Sequence, residues 1–145
     1  MAVEIRRLTE SDFDLVIAAS HLFDGPAQVL ATRRFLRSPT HHFFLAQDDG
    51  KSVGFITGVE TTHPDKGVEM FLYELAVDEP YRRRGIGRQL TETLATYARE
   101  HGCYDMWVGT EPDNEAALAT YLAAGANKPE EFVVLVWDFP ENSSD

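Results

Sequence analysis

The stretch from Val68 to Tyr97 constrains the fold more than any other part of the chain. Val68 to Val77 is nearly all apolar, with Glu69 and Glu74 as its exceptions, which is the pattern of a central strand covered on both faces. Downstream, Ile86, Leu90, Leu94 and Tyr97 recur at i, i+4, i+8 and i+11, predicting a helix that Gly102 terminates. The connection between them is Asp78-Glu79-Pro80-Tyr81-Arg82-Arg83-Arg84-Gly85. A buried strand that passes through an Arg- and Gly-rich loop into an amphipathic helix demands an α/β layer structure around it.

The rest of the chain supplies those layers. Val3 to Leu8 reads as a strand, and Thr9 to Asp12 offers helix N-caps before an apolar-rich helical stretch, Phe13 to Phe23. Asp24-Gly25-Pro26 breaks that helix, and Ala27 to Arg37 forms a second one that stops at Ser38-Pro39. His42 to Gln47 and Lys51 to Glu60 flank Asp48-Asp49-Gly50 as a hairpin, and Thr61 to Gly67 reads as a loop. Asp105 to Thr110 is expected to be a short strand. Asn114 to Ala124 should be a helix with Leu118, Tyr121 and Leu122 on one side and Gly125 just past its end. Phe132 to Phe139 closes the chain as an apolar strand. The expected order is β-α-α-β-β-β-α-β-α-β, in a single domain over residues 1–140 with a polar tail at 141–145.

Charge narrows the partners. The net charge of −11 argues against nucleic acid or an anionic membrane, both of which need a basic footprint. From Asp105 to Asp145 nine acids face one base, Lys128, a net of −8. Four of the thirteen bases, by contrast, sit together as Arg82, Arg83, Arg84 and Arg88. One end of the chain is built to attract cations and one loop to attract an anion. Cys103 is the only cysteine, so no intramolecular disulfide forms, which suits a reducing cytoplasm. His21, His41, His42, His63 and His101 lack the spacing and company of a metal site, so no metal is expected. Trp107 and Trp137 lie in apolar strands and read as core or interface residues.

The loop is a pyrophosphate cradle by composition. Gly85 and Gly87 let the backbone turn sharply and approach an anion. The amides from Arg84 to Arg88, with Ile86 among them, would be the unpaired donors of a helix start, reinforced by the helix dipole. The arginines add full charges.

Arg82-x-x-Gly85-x-Gly87, following Leu75-Ala76-Val77, resembles the coenzyme A signature of the GNAT superfamily of N-acetyltransferases. The element order matches that fold, and Asn114…Tyr121-x-x-x-Gly125 extends the likeness. The resemblance implies a mixed, mostly antiparallel sheet flanked by about four helices. It also implies acetyl-CoA as co-substrate: Arg82 to Gly87 hold its pyrophosphate, and the backbone of Leu75 and Val77, with Ala76 between them, pairs with the pantetheine arm where the strands at Val68 and Asp105 splay apart. Leu36 to Thr40, Tyr73 to Val77 and Glu130-Glu131-Phe132 are similar to type I aminoglycoside 3-N-acetyltransferases, over roughly Leu22 to Asp138. Two departures are Glu74, where that family usually has Asp, and the 61–67 segment, which has no counterpart there.

Acetyl transfer to an amine needs a neutral nucleophile and a proton for the leaving thiolate. Glu74, late on the central strand, is the candidate base, directly or through water, with anchoring of a cationic substrate as its other reading; Glu69 is the alternative base. Tyr121 alone reads as helix packing, and the resemblance makes it the candidate acid. Asn114 reads as a helix cap or a coenzyme A contact. Tyr73, Glu74, Glu130 and Glu131 are expected to face the acceptor, a cationic small-molecule amine for which an aminoglycoside fits best. Polyamines, peptide N-termini, or a coenzyme A-binding module without turnover are the rivals. The sequence is compatible with a homodimer.

Overall fold

The computed structural model describes residues 3–140; the polar tail at 141–145 lies outside the described residues. The elements are β1 (Val3–Arg7), α1 (Phe13–Ala18), α2 (Val29–Arg37), β2 (His41–Asp48), β3 (Lys51–His63), β4 (Gly67–Val77), α3 (Ile86–Glu100), β5 (Met106–Trp107) and α4 (Glu115–Ala123). They form one open five-stranded sheet in the order β1-β2-β3-β4-β5. Every neighbouring pair is antiparallel except β4 and β5, which run parallel.

Strand alternation distributes the core over two faces. Phe43 and Leu45 of β2, with Phe55 of β3, point toward α1 and α2, where they pack with Leu8, Val16 and Ala19. Phe44 and Ala46 point the other way and join Met70, Leu72, Ile86, Leu90, Leu94 and Ala98 beneath α3. At Gly58 an added Cβ would lie 2.8 Å from a Leu94 methyl and 2.9 Å from the Met70 sulfur. Only glycine lets α3 sit that close to β3. α3 stops where expected: Gly102 adopts φ 86° and the Cys103 amide donates to Ala98 O at 3.0 Å.

Several elements differ from expectation. The first helix ends at Ala18 and continues as a separate turn, Ser20–Leu22, and the second begins at Val29 rather than Ala27. The supposed 61–67 loop is mostly strand, because β3 runs to His63 and β4 starts at Gly67, with Thr61↔Glu69 and Thr62↔Val68 paired. Turn-forming residues were outweighed there by continuous cross-strand pairing. The strand expected at Asp105 to Thr110 shrinks to Met106–Trp107. The C-terminal region departs from expectation twice. Phe132 to Phe139 joins no sheet, since the short β5 gives it no ladder to extend. On α4, Tyr121 packs on the core while Leu122 stays exposed, and no residue of that helix is fully buried.

Candidate active site

The site is built at the C-terminal end of β4. Thr57↔Glu74 and Gly58↔Leu72 are consecutive pairs across β3 and β4, so Tyr73 is an extra residue bulged out of the ladder. The Glu74 amide donates to the Thr57 side-chain oxygen at 3.2 Å, holding the bulge. On the other edge, the Tyr104 amide donates to Val68 O, the Met70 amide to Asp105 O, and β5 then pairs with Met70 and Phe71 only. Past Phe71, β4 keeps β3 as its neighbour and loses β5. Leu72 to Val77 therefore border an opening between the two strands, at the place where the splay was expected.

Side-chain alternation puts different chemistry on the two sides of this opening. Leu75 and Val77 pack with the α3-side core and Ala76 with the α1/α2-side core. Glu74 shares its direction with Ala76 and stands on the exposed rim. Loss of hydration from the surrounding protein, and then the Asp24 carboxylate of the α1–α2 connection, push its pKa above the ordinary carboxylate value. Tyr121 lies on the opposite side, packed against the α3-side core, where burial raises its phenol pKa. Glu74 thus carries an elevated carboxylate on one side of the sheet and Tyr121 a neutral phenol on the other.

Directly beyond Val77 comes the cradle. Glu79–Tyr81 is a single turn, after which the Arg82 Nε–H donates to Val77 O at 3.0 Å and ties the loop to the strand end. Arg83 has φ 65°, a left-handed conformation unusual for a residue with a Cβ. Gly85 follows with φ 80° as the N-cap of α3. α3 is closed first by the Gln89 amide donating to Gly85 O at 3.0 Å, so a helix start leaves the amides of Ile86, Gly87 and Arg88 without an intrahelical acceptor. Two left-handed residues ahead of a helix N-terminus give backbone of the kind that suits an anion. Gly87 differs from Gly85: an added Cβ would meet Thr120 at 3.4 Å and Leu75 and Val77 at 3.7 Å, ordinary contacts. The fold itself does not require glycine there. Arg88 shares its charge with Glu92 at 3.3 Å.

Other expected site residues are placed less centrally. Asn114 caps α4, its Oδ1 accepting from the Ala117 amide at 3.1 Å, so the cap reading is realised. Tyr73 is exposed, its ring 5.5 Å from Phe71. Glu130 and Glu131 are exposed immediately before Phe132, whose ring lies 6.2 Å from Trp107 of β5. Glu69 belongs elsewhere. Burial and then the Asp105 carboxylate raise its pKa, but it sits five residues from Glu74 along β4, roughly 15 Å at strand spacing, beside a 240 Å³ pocket lined partly by His63, Lys66 and Tyr104.

Two participants escaped sequence reasoning. Asp24 reaches Glu74 only through the tertiary fold. Lys51 and Arg84 place their charges 5.3 Å and 5.2 Å from the Tyr81 ring centre, so Lys51 brings a cation from the start of β3 to the cradle's flank. The Gly54↔Val77 register brings the start of β3 beside the end of β4, a pairing with no local signal in the sequence. Among the described residues no group of three or more His, Cys, Asp or Glu could hold a metal ion, and no helix is long and apolar enough to cross a membrane.

Residues 4–126 match the family model described as acetyltransferase (GNAT) family. The chain is 34% identical over 102 residues to the N-alpha-acetyltransferase RimI of Mycobacterium tuberculosis (strain ATCC 25618 / H37Rv), a match covering 70% of this chain and 62% of that protein. It therefore spans less than two thirds of that relative's length. The fold is similar to the aminoglycoside acetyltransferase meta-AAC0020 from an uncultured soil metagenomic sample, solved in complex with sisomicin: TM-score 0.88, 22% identity, 95% of this chain and 97% of that one. It is also similar to AAC(6')-Iy in complex with the bisubstrate analogue CoA-S-monomethyl-acetylneamine: TM-score 0.81, 20% identity, 95% and 99% covered. At those identities the two structures speak for the fold.

Proposed function

We propose the reaction from the premise that the chain belongs to the acetyltransferase (GNAT) family: it moves an acetyl group from acetyl-CoA to an amine of a polycationic small molecule, the 3-amino group of an aminoglycoside being the best fit. The observation that carries this reading is the junction at the end of β4, where an open strand edge, an elevated carboxylate and an anion cradle adjoin. The residues present fit acetyl-CoA. Arg82, Arg83, Arg84 and Arg88, with the amides of Gly85 to Arg88, would hold the pyrophosphate. The free edge of Leu75, Ala76 and Val77 would take the pantetheine amides as an added strand takes a neighbour. Bound acetyl-CoA supplies the activated thioester.

The chain's own groups handle protons. Glu74, directly or through one water, takes a proton from the acceptor ammonium, so that the amine nitrogen can form its bond to the acetyl carbon. As the carbon–sulfur bond breaks, the Tyr121 hydroxyl donates a proton to the departing sulfur, and the second proton that the acceptor nitrogen sheds on becoming an amide restores the phenol. Tyr73, Glu130 and Glu131 would border the acceptor.

A second reading has its own support in the 34% identity to an N-alpha-acetyltransferase, which would make the acceptor a peptide N-terminus. The two are separated by following thiol release from acetyl-CoA with gentamicin-type aminoglycosides, polyamines and short peptides side by side. Turnover with aminoglycosides supports the first reading. Turnover with peptides alone would transfer the site to the second, and no turnover with any amine would leave a coenzyme A-binding module.

A further inference from the structure

Glu69 takes no part in the proposed proton transfers, yet β4 puts it on the same face of the sheet as Glu74. Three cross-strand pairs fix this. Thr57, Val59 and Thr61 alternate along β3 with Ile56 and Gly58, which face α3, and they pair with Glu74, Phe71 and Glu69 in turn. On the other edge Trp107 of β5 lies opposite Phe71. Met106 packs with the α3-side core, so Trp107 turns to the same face as Phe71, and Asp105 is hydrogen-bonded to Glu69.

Between these two carboxylate ends runs a row of rings. Tyr73 lies 5.5 Å from Phe71, Phe71 lies 4.5 Å from Trp107, and Trp107 lies 6.2 Å from Phe132. The core beneath α1 and α2 includes none of the four, and Tyr73, Trp107 and Phe132 are exposed by 61%, 41% and 57%. Contiguous aromatic surface left open to water marks a binding site. The two ends say what binds. Loss of hydration first, and a neighbouring carboxylate second, raise the pKa of Glu74 beside Asp24 and of Glu69 beside Asp105; an ammonium group placed at either pair relieves that repulsion. Lys66, the base that faces Glu69, already shares its charge with Asp65 at 3.4 Å. The rings in the middle attract cations and apolar carbon alike.

We infer that this face binds the acceptor as an extended polycation, with the reacting amine at Glu74, a second, unreacting ammonium group roughly 15 Å away at Glu69 and Asp105, and the body between them over Phe71, Tyr73 and Trp107. The inference rests on Glu74 as the proposed base and deepens that reading. It makes the spacing of positive charges, and not their number alone, the property by which an acceptor is chosen. It also gives Glu69 a role as an anchor at a distance from the chemistry. Linear polyamines and multi-ring aminoglycosides share the required chemistry, two ammonium groups held apart by a body that can lie on aromatic rings.

The spacing is tested by binding, which does not depend on turnover. In a Trp137→Phe background Trp107 is the one tryptophan left, and its fluorescence is titrated with monoamines, α,ω-diaminoalkanes of increasing length, spermine and gentamicin-type aminoglycosides. Affinity should rise to a maximum where the terminal nitrogens are roughly 15 Å apart, and the spermine and aminoglycoside arms show which source of that chemistry fits. Glu69→Gln combined with Asp105→Asn should cut the ratio of long-diamine to monoamine affinity by about 3–10-fold. By calorimetry Trp107→Leu should weaken the long ligands by about 2–5-fold, and Trp107→Phe, which keeps a ring, should restore most of that loss. A purely structural role for these residues would move all lengths alike. The inference is overturned by affinities indifferent to length, or by a length preference that survives both sets of variants. If long diamines bind but no amine is acetylated, the proposed reaction fails and this site stands; if amines are acetylated at rates indifferent to length and to Glu69, the reaction stands and the site falls.

Discussion

Replacing Gly85 by alanine tests the cradle with a built-in control. Gly85 adopts φ 80° and ψ 8°, where a residue with a Cβ costs about 1–2 kcal/mol, and an added Cβ would meet nothing within 4 Å. The entire cost is therefore conformational. Gly102, at φ 86° and equally free of neighbours within 4 Å, carries the same strain at the far end of α3. Both Gly85→Ala and Gly102→Ala should lower Tm by roughly 3–8 °C, from the usual relation between stability and melting temperature for a domain of this size. They should part company over acetyl-CoA. If the left-handed turn aims the first α3 amides at the pyrophosphate, relaxation at Gly85 withdraws charge-assisted donors and weakens binding by about 10-fold or more, whereas Gly102→Ala leaves it unchanged. Differential scanning fluorimetry reads the first quantity and titration calorimetry the second. Equal Tm losses with equal, unaltered acetyl-CoA affinities would remove the cradle from the cofactor site.

Arg82→Ala loses both the charge and the Val77 carbonyl contact, and Arg84→Gln loses a charge beside Tyr81; calorimetry should show acetyl-CoA binding about 10–100-fold weaker in the first. Tyr121→Phe should lower kcat by ~10²–10⁴-fold with its circular dichroism unchanged. Glu74 acts as base only when ionised, so with its pKa raised the acid limb of the pH–rate profile lies above the ordinary carboxylate range, and Glu74→Gln should abolish that limb and lower turnover above it, as kcat measured across pH would show. His42 is a separate, structural test: burial lowers its pKa below 6.5. Its neutral ring is suited to its partners, Nδ1 accepting from Arg7 and Nε2 donating to Glu60. The unfolded chain then binds the extra proton first, so stability should fall as pH drops from 6.5 toward the lower folded value, by up to about 1.4 kcal/mol per pH unit. Urea denaturation at several pH values checks the slope, which His42→Gln should flatten.

Local signals that were also tertiary signals were legible in the sequence. The apolar run of β4, the i, i+4 pattern of α3 and the glycines after each helix describe burial and chain reversal, and the same residues carry both. Legibility failed where a segment's state depends on a neighbour far away in the chain. Thr61 to Gly67 looks like a loop until Glu69 and Val68 are found opposite it. Phe132 to Phe139 looks like a strand and has every local propensity for one, yet a strand exists only by pairing, and none of the described strands pairs with it.

The site divides in the same way. Arg82, Gly85 and Gly87 could be read as a cradle because an anion-binding helix start is a local object. The elevation of Glu74 could be read only in part: its burial late on a central strand is a local expectation, but the share that comes from Asp24, fifty residues earlier, is not. That dependence joins two properties first met separately. A carboxylate can take a proton from an ammonium group only if its proton affinity is raised, and a neighbouring negative charge does that. A cation, in turn, is drawn to a place where negative charge is concentrated. In the proposed reaction Asp24 would serve both ends: it attracts the ammonium and makes Glu74 a better acceptor of the proton. Asp24→Asn separates these contributions from any role in the cradle. It should raise KM for a polycationic acceptor, shift the acid limb of the pH–rate profile to lower pH, and leave acetyl-CoA affinity untouched. An acid limb that stays in place while KM rises would show that Asp24 only attracts the acceptor and that loss of hydration alone tunes Glu74.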